Sequence, residues 1–186
     1  MKHEGSHGIP SLRTERLVLR GFSLNDAKVV QKLAGDERIA ATTILIPHPY
    51  PDGLAEEWIG THEQSFAEGK NINLAITEER SGELIGAIGL TFHHEYGHAE
   101  MGYWIAVSKW GMGYCTEAAR EMLRYGFLEC GLHRIHAHHF GSNPASGKVM
   151  EKIGMKCEGR LRDHIRKWDR YEDAVYYGVL RDEWSG

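Results

Sequence analysis

The segment Tyr103-Trp-Ile-Ala-Val-Ser-Lys-Trp-Gly-Met-Gly-Tyr-Cys-Thr-Glu-Ala118 carries an apolar strand through a two-glycine loop straight into a helix. Gly111 and Gly113 let the backbone enter conformations closed to other residues. The free N–H groups of the loop and first helical turn then converge on an anion such as phosphate. A Walker loop is excluded, because no Gly-Lys-Ser/Thr follows. A dinucleotide fingerprint fails as well, since Thr116 stands where the third glycine belongs and no acidic ribose ligand follows in a βαβ unit. An ordinary strand-to-helix turn uses the same Gly-Met-Gly, so the neighbouring segments decide.

The chain has 186 residues, enough for one domain with a substantial core, and its 41% hydrophobic content is that of a soluble globule. A net charge of −4 argues against a nucleic-acid partner held by a basic face. No apolar run approaches the roughly 20 residues of a membrane span, and the segment around His3, Glu4 and His7 lacks the apolar centre of a signal peptide. No membrane partner and a cytoplasmic location are the expectations. Cys115, Cys130 and Cys157 form no Cys-x-x-Cys pair, so neither a disulfide framework nor a zinc knuckle is indicated.

Residues 1–11 read as a flexible tail, and residues 12–186 as a single domain. A first strand is expected over 14–20, a helix after the Ser23 cap, and a second helix over about 54–68 behind Pro47, Pro49 and Pro51. A hairpin (73–77 and 84–92) and a strand over about 98–107 follow, then a helix over about 114–130 ending at Gly131. A strand at 135–140, a short helix at 143–152 and two strands at about 156–167 and 170–180 complete the chain. The order β-α-α-β-β-β-α-β-α-β-β describes an α+β domain with about seven strands and four helices.

Four pieces resemble the GNAT superfamily of acyl-CoA-dependent N-acetyltransferases, in particular its ribosomal-protein N-terminal acetyltransferase branch. They are Thr14-Glu-Arg-Leu-Val-Leu-Arg20; Ile85-Gly-Ala-Ile-Gly89; Gly102-Tyr-Trp-Ile105 with the glycine loop; and Asn143-Pro-Ala-Ser-Gly-Lys-Val-Met-Glu-Lys-Ile-Gly-Met155 followed by Glu158-Gly159. The resemblance implies the family's mixed, mostly antiparallel twisted sheet and acetyl-CoA as cosubstrate. It implies that the amides of Gly111, Met112, Gly113, Tyr114, Cys115 and Thr116 hold the coenzyme A pyrophosphate. The backbone of Ile105, Ala106 and Val107 is then expected to pair with the pantetheine arm as another strand would. Asn143 is expected to bond the pantetheine amides, with Ser146 one helical turn on. Asn143-Pro144 also reads as a plain helix cap, and the two roles are compatible. Dimerisation is common in the family, which makes a homodimer a candidate assembly.

Acetyl transfer needs a neutral amine, a stabilised oxyanion and an outlet for the thiolate. Glu100, on the strand entering the loop, is the candidate base, acting directly or through water; the plainer reading is a strand glutamate paired with a neighbouring hydroxyl or cation. Alternation puts Glu100, Gly102 and Trp104 on one face and Met101, Tyr103 and Ile105 on the other. Many family members protonate the thiolate with a tyrosine where this chain has Met150, which leaves Ser146, Tyr176 or solvent. Cys115 invites a covalent route, but it has no adjacent histidine, and the family implies direct transfer in a ternary complex. Of the twelve histidines, His136 and His138 share a strand face and His139 takes the other, so no metal site is expected. The acceptor, a protein N-terminus, peptide or small-molecule amine, is expected between residues 24–68 and the final hairpin. The competing reading is a non-catalytic coenzyme A-binding module.

Overall fold

The computed structural model describes residues 8–186. Eight strands form one sheet in the order β1-β2-β3-β4-β5-β6-β8-β7. They are β1 (Leu12–Arg13), β2 (Leu17–Gly21), β3 (Asn71–Glu78), β4 (Leu84–His93), β5 (His98–Ile105), β6 (Arg134–Phe140), β7 (Lys156–Lys167) and β8 (Arg170–Leu180). The helices are α1 (Ala27–Ala34), α2 (Glu37–Ala40), α3 (Leu54–Gly60), α4 (His62–Ala67), α5 (Tyr114–Arg124) and α6 (Pro144–Lys152). All neighbouring strands are antiparallel except β5 and β6. None of the helices is long and apolar enough to cross a membrane among the described residues.

The alternating pattern on β5 divides the molecule. Met101 and Ile105 join a core in which Ala118, Ala119, Met122 and Leu123 of α5, with Phe127, are wholly buried. Each such large side chain contributes about 1.5–3 kcal/mol of apolar burial. Trp104 instead packs against a smaller cluster made by Ala27, Val30 and Ala34 of α1, Ala55 and Ile59 of α3, and Ala75 and Leu84 of the sheet. The two helical layers therefore lie on opposite faces, and Glu100 and Gly102 face the second.

The sheet has eight strands where seven were expected. The Thr14 amide donates to the Leu17 carbonyl and the Leu17 amide donates to the Thr14 hydroxyl oxygen, so residues 14–17 form a turn and the short β1 pairs back on β2. The helix expected over 54–68 is interrupted at Thr61, whose hydroxyl donates to the Trp58 carbonyl at 2.8 Å. The helix expected over 114–130 ends in a wider turn, Tyr125–Glu129, closed by the Cys130 amide on the Tyr125 carbonyl. Of the expected tail, Met1 to His7 lie outside the described residues, while Ile9 packs against the core.

Candidate active site

β5 and β6 run parallel only through three residue pairs, from His98↔Arg134 to Glu100↔His136. Beyond Glu100 they part. β5 follows β4 as far as Ile105↔Gly86, and β6 follows β8 as far as Phe140↔Ala174. A wedge therefore opens in the middle of the sheet, and the glycine loop lies at the end of its β5 side.

Gly111 and Gly113 adopt left-handed backbones, φ 76° and 81°, and Gly113 caps α5. The first bond into α5 runs from the Glu117 amide to the Gly113 carbonyl. The amides of Gly111 to Thr116 therefore donate to no protein acceptor among the described residues, leaving six donors at the positive end of a helix. The loop is anchored from both sides. Glu117 accepts from the Thr14 hydroxyl (2.6 Å), the Arg16 amide (2.8 Å) and the Arg16 guanidinium (2.7 Å). Burial raises its pKa, but these donors outweigh that and hold the carboxyl below the usual range. Arg16 also donates to the Met112 carbonyl and lies over the Tyr114 ring at 4.6 Å. On the other side Lys109 bridges Glu78 and Glu83 at 2.9 Å each, and Tyr114 bonds Glu78. A cleft of about 600 Å³ opens beside the loop, with Arg16, Gly113, Thr116, Arg120 and Lys152 in its wall.

The Ile105 carbonyl accepts the Trp110 indole N–H at 2.7 Å, and the Ala106 amide donates to Ile85. The Val107 amide has no protein partner among the described residues. Asn143 precedes Pro144 at the start of α6 and its side chain makes no cap bond. Ser146 meets Tyr103 of β5: the two hydroxyls lie 2.9 Å apart. Burial raises the Tyr103 pKa, which keeps the phenol protonated. Sequence reasoning missed this pair, although a tyrosine between Met101 and Ile105 on the core-facing side needs a partner for its hydroxyl. Met150 is buried, and burial pushes the Cys115 thiol up to about 12, so no thiolate is available there.

On the opposite face Glu100 Oε1 lies 2.8 Å from His138 Nδ1. Glu100 and Ser146 are thus on the two sides of the wedge and do not touch. Tyr176, paired with His138 across β6 and β8, is on the Glu100 side, 5.1 Å ring to ring. His139 turns to the other face and is buried against Tyr177. No group of three metal-ligating side chains occurs among the described residues. Lys167, buried near the tip of the β7–β8 hairpin, donates to the carbonyls of Ile44 and Ile46, so the hairpin meets the loop between α2 and α3.

The sequence profile described as "Acetyltransferase (GNAT) domain" matches residues 16–156. The chain belongs to the GNAT acetyltransferase family. This GNAT enzyme is 31% identical over 178 residues to the uncharacterized N-acetyltransferase p20 of Bacillus licheniformis, covering 95% of this chain and 99% of that one. Its fold is similar to that of RimL, a ribosomal L7/L12 alpha-N-protein acetyltransferase solved in complex with coenzyme A, with a TM-score of 0.85, 14% identity and coverage of 92% and 98%. A spermidine N-acetyltransferase from Vibrio cholerae, solved with CoA and spermine, has a TM-score of 0.79 at 22% identity, covering 91% and 98%. At those identities the likeness is one of fold.

Proposed function

We propose that this GNAT enzyme moves the acetyl group of acetyl-CoA directly to a primary amine in a ternary complex. The acceptor is a protein N-terminal α-amine, a peptide or a small-molecule amine. The observation that carries this reading is the set of unpartnered amides from Gly111 to Thr116 at the end of a strand that has left its neighbour. Such a cradle suits a pyrophosphate.

The pantetheine arm then lies along 105–107, with the Val107 amide as its free donor and the Ile105 carbonyl shared with Trp110. The Asn143 side chain reaches the arm's amides, and Ser146, backed by Tyr103, stands on the same side to meet the departing thiolate. Glu100 supplies the carboxylate of the base machinery on the opposite, amine-facing side. Arg120 and Lys152 beside the loop favour the donor's phosphates.

Thiol release tests the reading. Protein mixed with acetyl-CoA and a panel of amines is expected to release thiol only when an acceptor is present, with a mass gain of one acetyl group on that amine. Coenzyme A binding without acceptor-dependent thiol from any amine would leave a binding module, the reading that the methionine at position 150 would then favour.

A further inference from the structure

His138 is the first β6 residue on the Glu100 face beyond the point where β5 and β6 separate. Its Nδ1 is buried and faces the Glu100 carboxylate at 2.8 Å, off the line of a straight N–H···O bond. Its Nε2 is not among the buried, unpartnered atoms, and it has no hydrogen bond to a protein group among the described residues. Across the opening, Gly102 of β5 presents no side chain, and a Cβ placed there would meet nothing within 4 Å. An imidazole held by a carboxylate thus stands beside open space at the mouth of the wedge.

We infer that His138 is the base that takes the proton from the acceptor amine, and that Glu100 is its positioning residue. The inference rests on the amine-acetylating reading above. With Nδ1–H directed at Glu100, the lone pair is on Nε2, and the carboxylate stabilises the imidazolium that forms. Short but imperfectly aligned contacts are usual in proton-handling sites before substrate draws them into line.

The chemistry favours imidazole over carboxylate. The close approach of His138 holds Glu100 below the usual carboxylate range, against the opposing effect of its burial, and His136 and His93 add to the lowering. That makes Glu100 a weaker base for an ammonium, whose pKa lies between about 7.7 and 10.4. The other groups facing the pair are Tyr176 of β8, 5.1 Å from the His138 ring, and His164 of β7 behind it at 6.4 Å. Beyond His136 lies His98, with its ring 5.1 Å away.

In the step itself, R–NH3+ gives a proton to Nε2 and becomes R–NH2. The nitrogen lone pair forms the C–N bond, the C–S bond breaks, and the sulfur leaves with its electron pair. The second proton of the new amide nitrogen passes to the thiolate, and His138 releases its proton to water.

The test uses acetyl-CoA with two acceptor probes, spermidine and a tetrapeptide beginning with alanine. His138→Gln is expected to lose at least about 10²-fold in kcat/KM, the ordinary span of base catalysis. Its coenzyme A affinity should match wild type, which also reports folding. His138→Gly should regain activity as imidazole is added. A ring-nitrogen NMR spectrum is expected to show the Nδ1–H tautomer in wild type and its loss in Glu100→Gln. Undiminished kcat/KM in His138→Gln would overturn the inference. So would a loss that imidazole fails to restore together with a tautomer unaffected by Glu100→Gln, because the histidine would then be structural. Wild-type protein inactive with every amine would remove the transferase reading and the inference with it, an outcome distinct from an active wild type with an equally active variant.

Discussion

Arg16 and Glu117, 101 residues apart in the chain, meet at 2.7 Å and tie the β1–β2 turn to the first turn of α5. Through Glu117 the opening Thr-Glu-Arg motif fixes the entry of the helix that presents the loop amides. Glu117→Ala leaves the Thr14 hydroxyl and the Arg16 amide without their acceptor, at a cost of about 1–3 kcal/mol. The expected result is a lower melting temperature and weaker coenzyme A binding, measured by calorimetry. Because the Glu117 pKa is lowered in the folded state, this contribution is present above the unfolded carboxylate range and fades as pH falls below about 4.

Gly102 separates Glu100 from Trp104 on the face to which the proposal assigns the amine, with free space above its Cα. Gly102→Leu places its Cβ in open space, and its melting temperature against that of Gly102→Ala reports whether the rest of the side chain is admitted as freely. It should raise KM for the amine by about tenfold, a loss of about 1.4 kcal/mol, and leave the KM for acetyl-CoA unchanged. Steady-state kinetics in both substrates separates these effects; an unaltered amine KM would place the acceptor elsewhere.

Ser146 and Tyr103 form one hydrogen-bonded unit on the core-facing side of β5. Ser146→Ala and Tyr103→Phe are each expected to lower kcat by about 10-fold to 10²-fold, the low end of acid catalysis. The double variant should be little worse than the more damaged single, because groups acting as a unit are not additive. Fully multiplicative losses would mean that the two hydroxyls act separately.

His62 is buried between Trp58 and Phe22, with ring centroids 4.4 and 5.4 Å away, and neither ring nitrogen has a partner among the described residues. Burial lowers its pKa to about 4. Between that value and about 6.5 the unfolded chain binds a proton that the folded chain refuses, so stability falls as pH drops through the window. At pH 5 the loss is about 2 kcal/mol. His62→Phe is expected to abolish this acid limb and to raise stability at pH 5, measured by urea unfolding across pH 4–8. An unchanged pH dependence would show that another group titrates there.

The glycine loop was legible because its physics is local. Positive φ at Gly111 and Gly113 follows from residue type and a strand-to-helix junction, and the unpaired amides follow from any helix start. Strand alternation was legible for the same reason, and it placed Glu100 with Gly102 and Trp104. The break at Thr61 escaped because a single hydroxyl competing for a backbone carbonyl scarcely alters an apolar pattern. Tyr103 escaped because its partner Ser146 is 43 residues away.

The main strands and helices, the two-glycine entry to α5 and the family are written in the sequence, because each rests on residue type, periodicity and short motifs. Tertiary structure alone decided that β5 and β6 separate after Glu100, that His138 meets that carboxylate, and that Glu117 is held by Thr14 and Arg16. Those pairings depend on which distant segments the buried sheet brings side by side. The free energy that selects them is the burial of a whole apolar face, a quantity spread over the core and carried by no single motif.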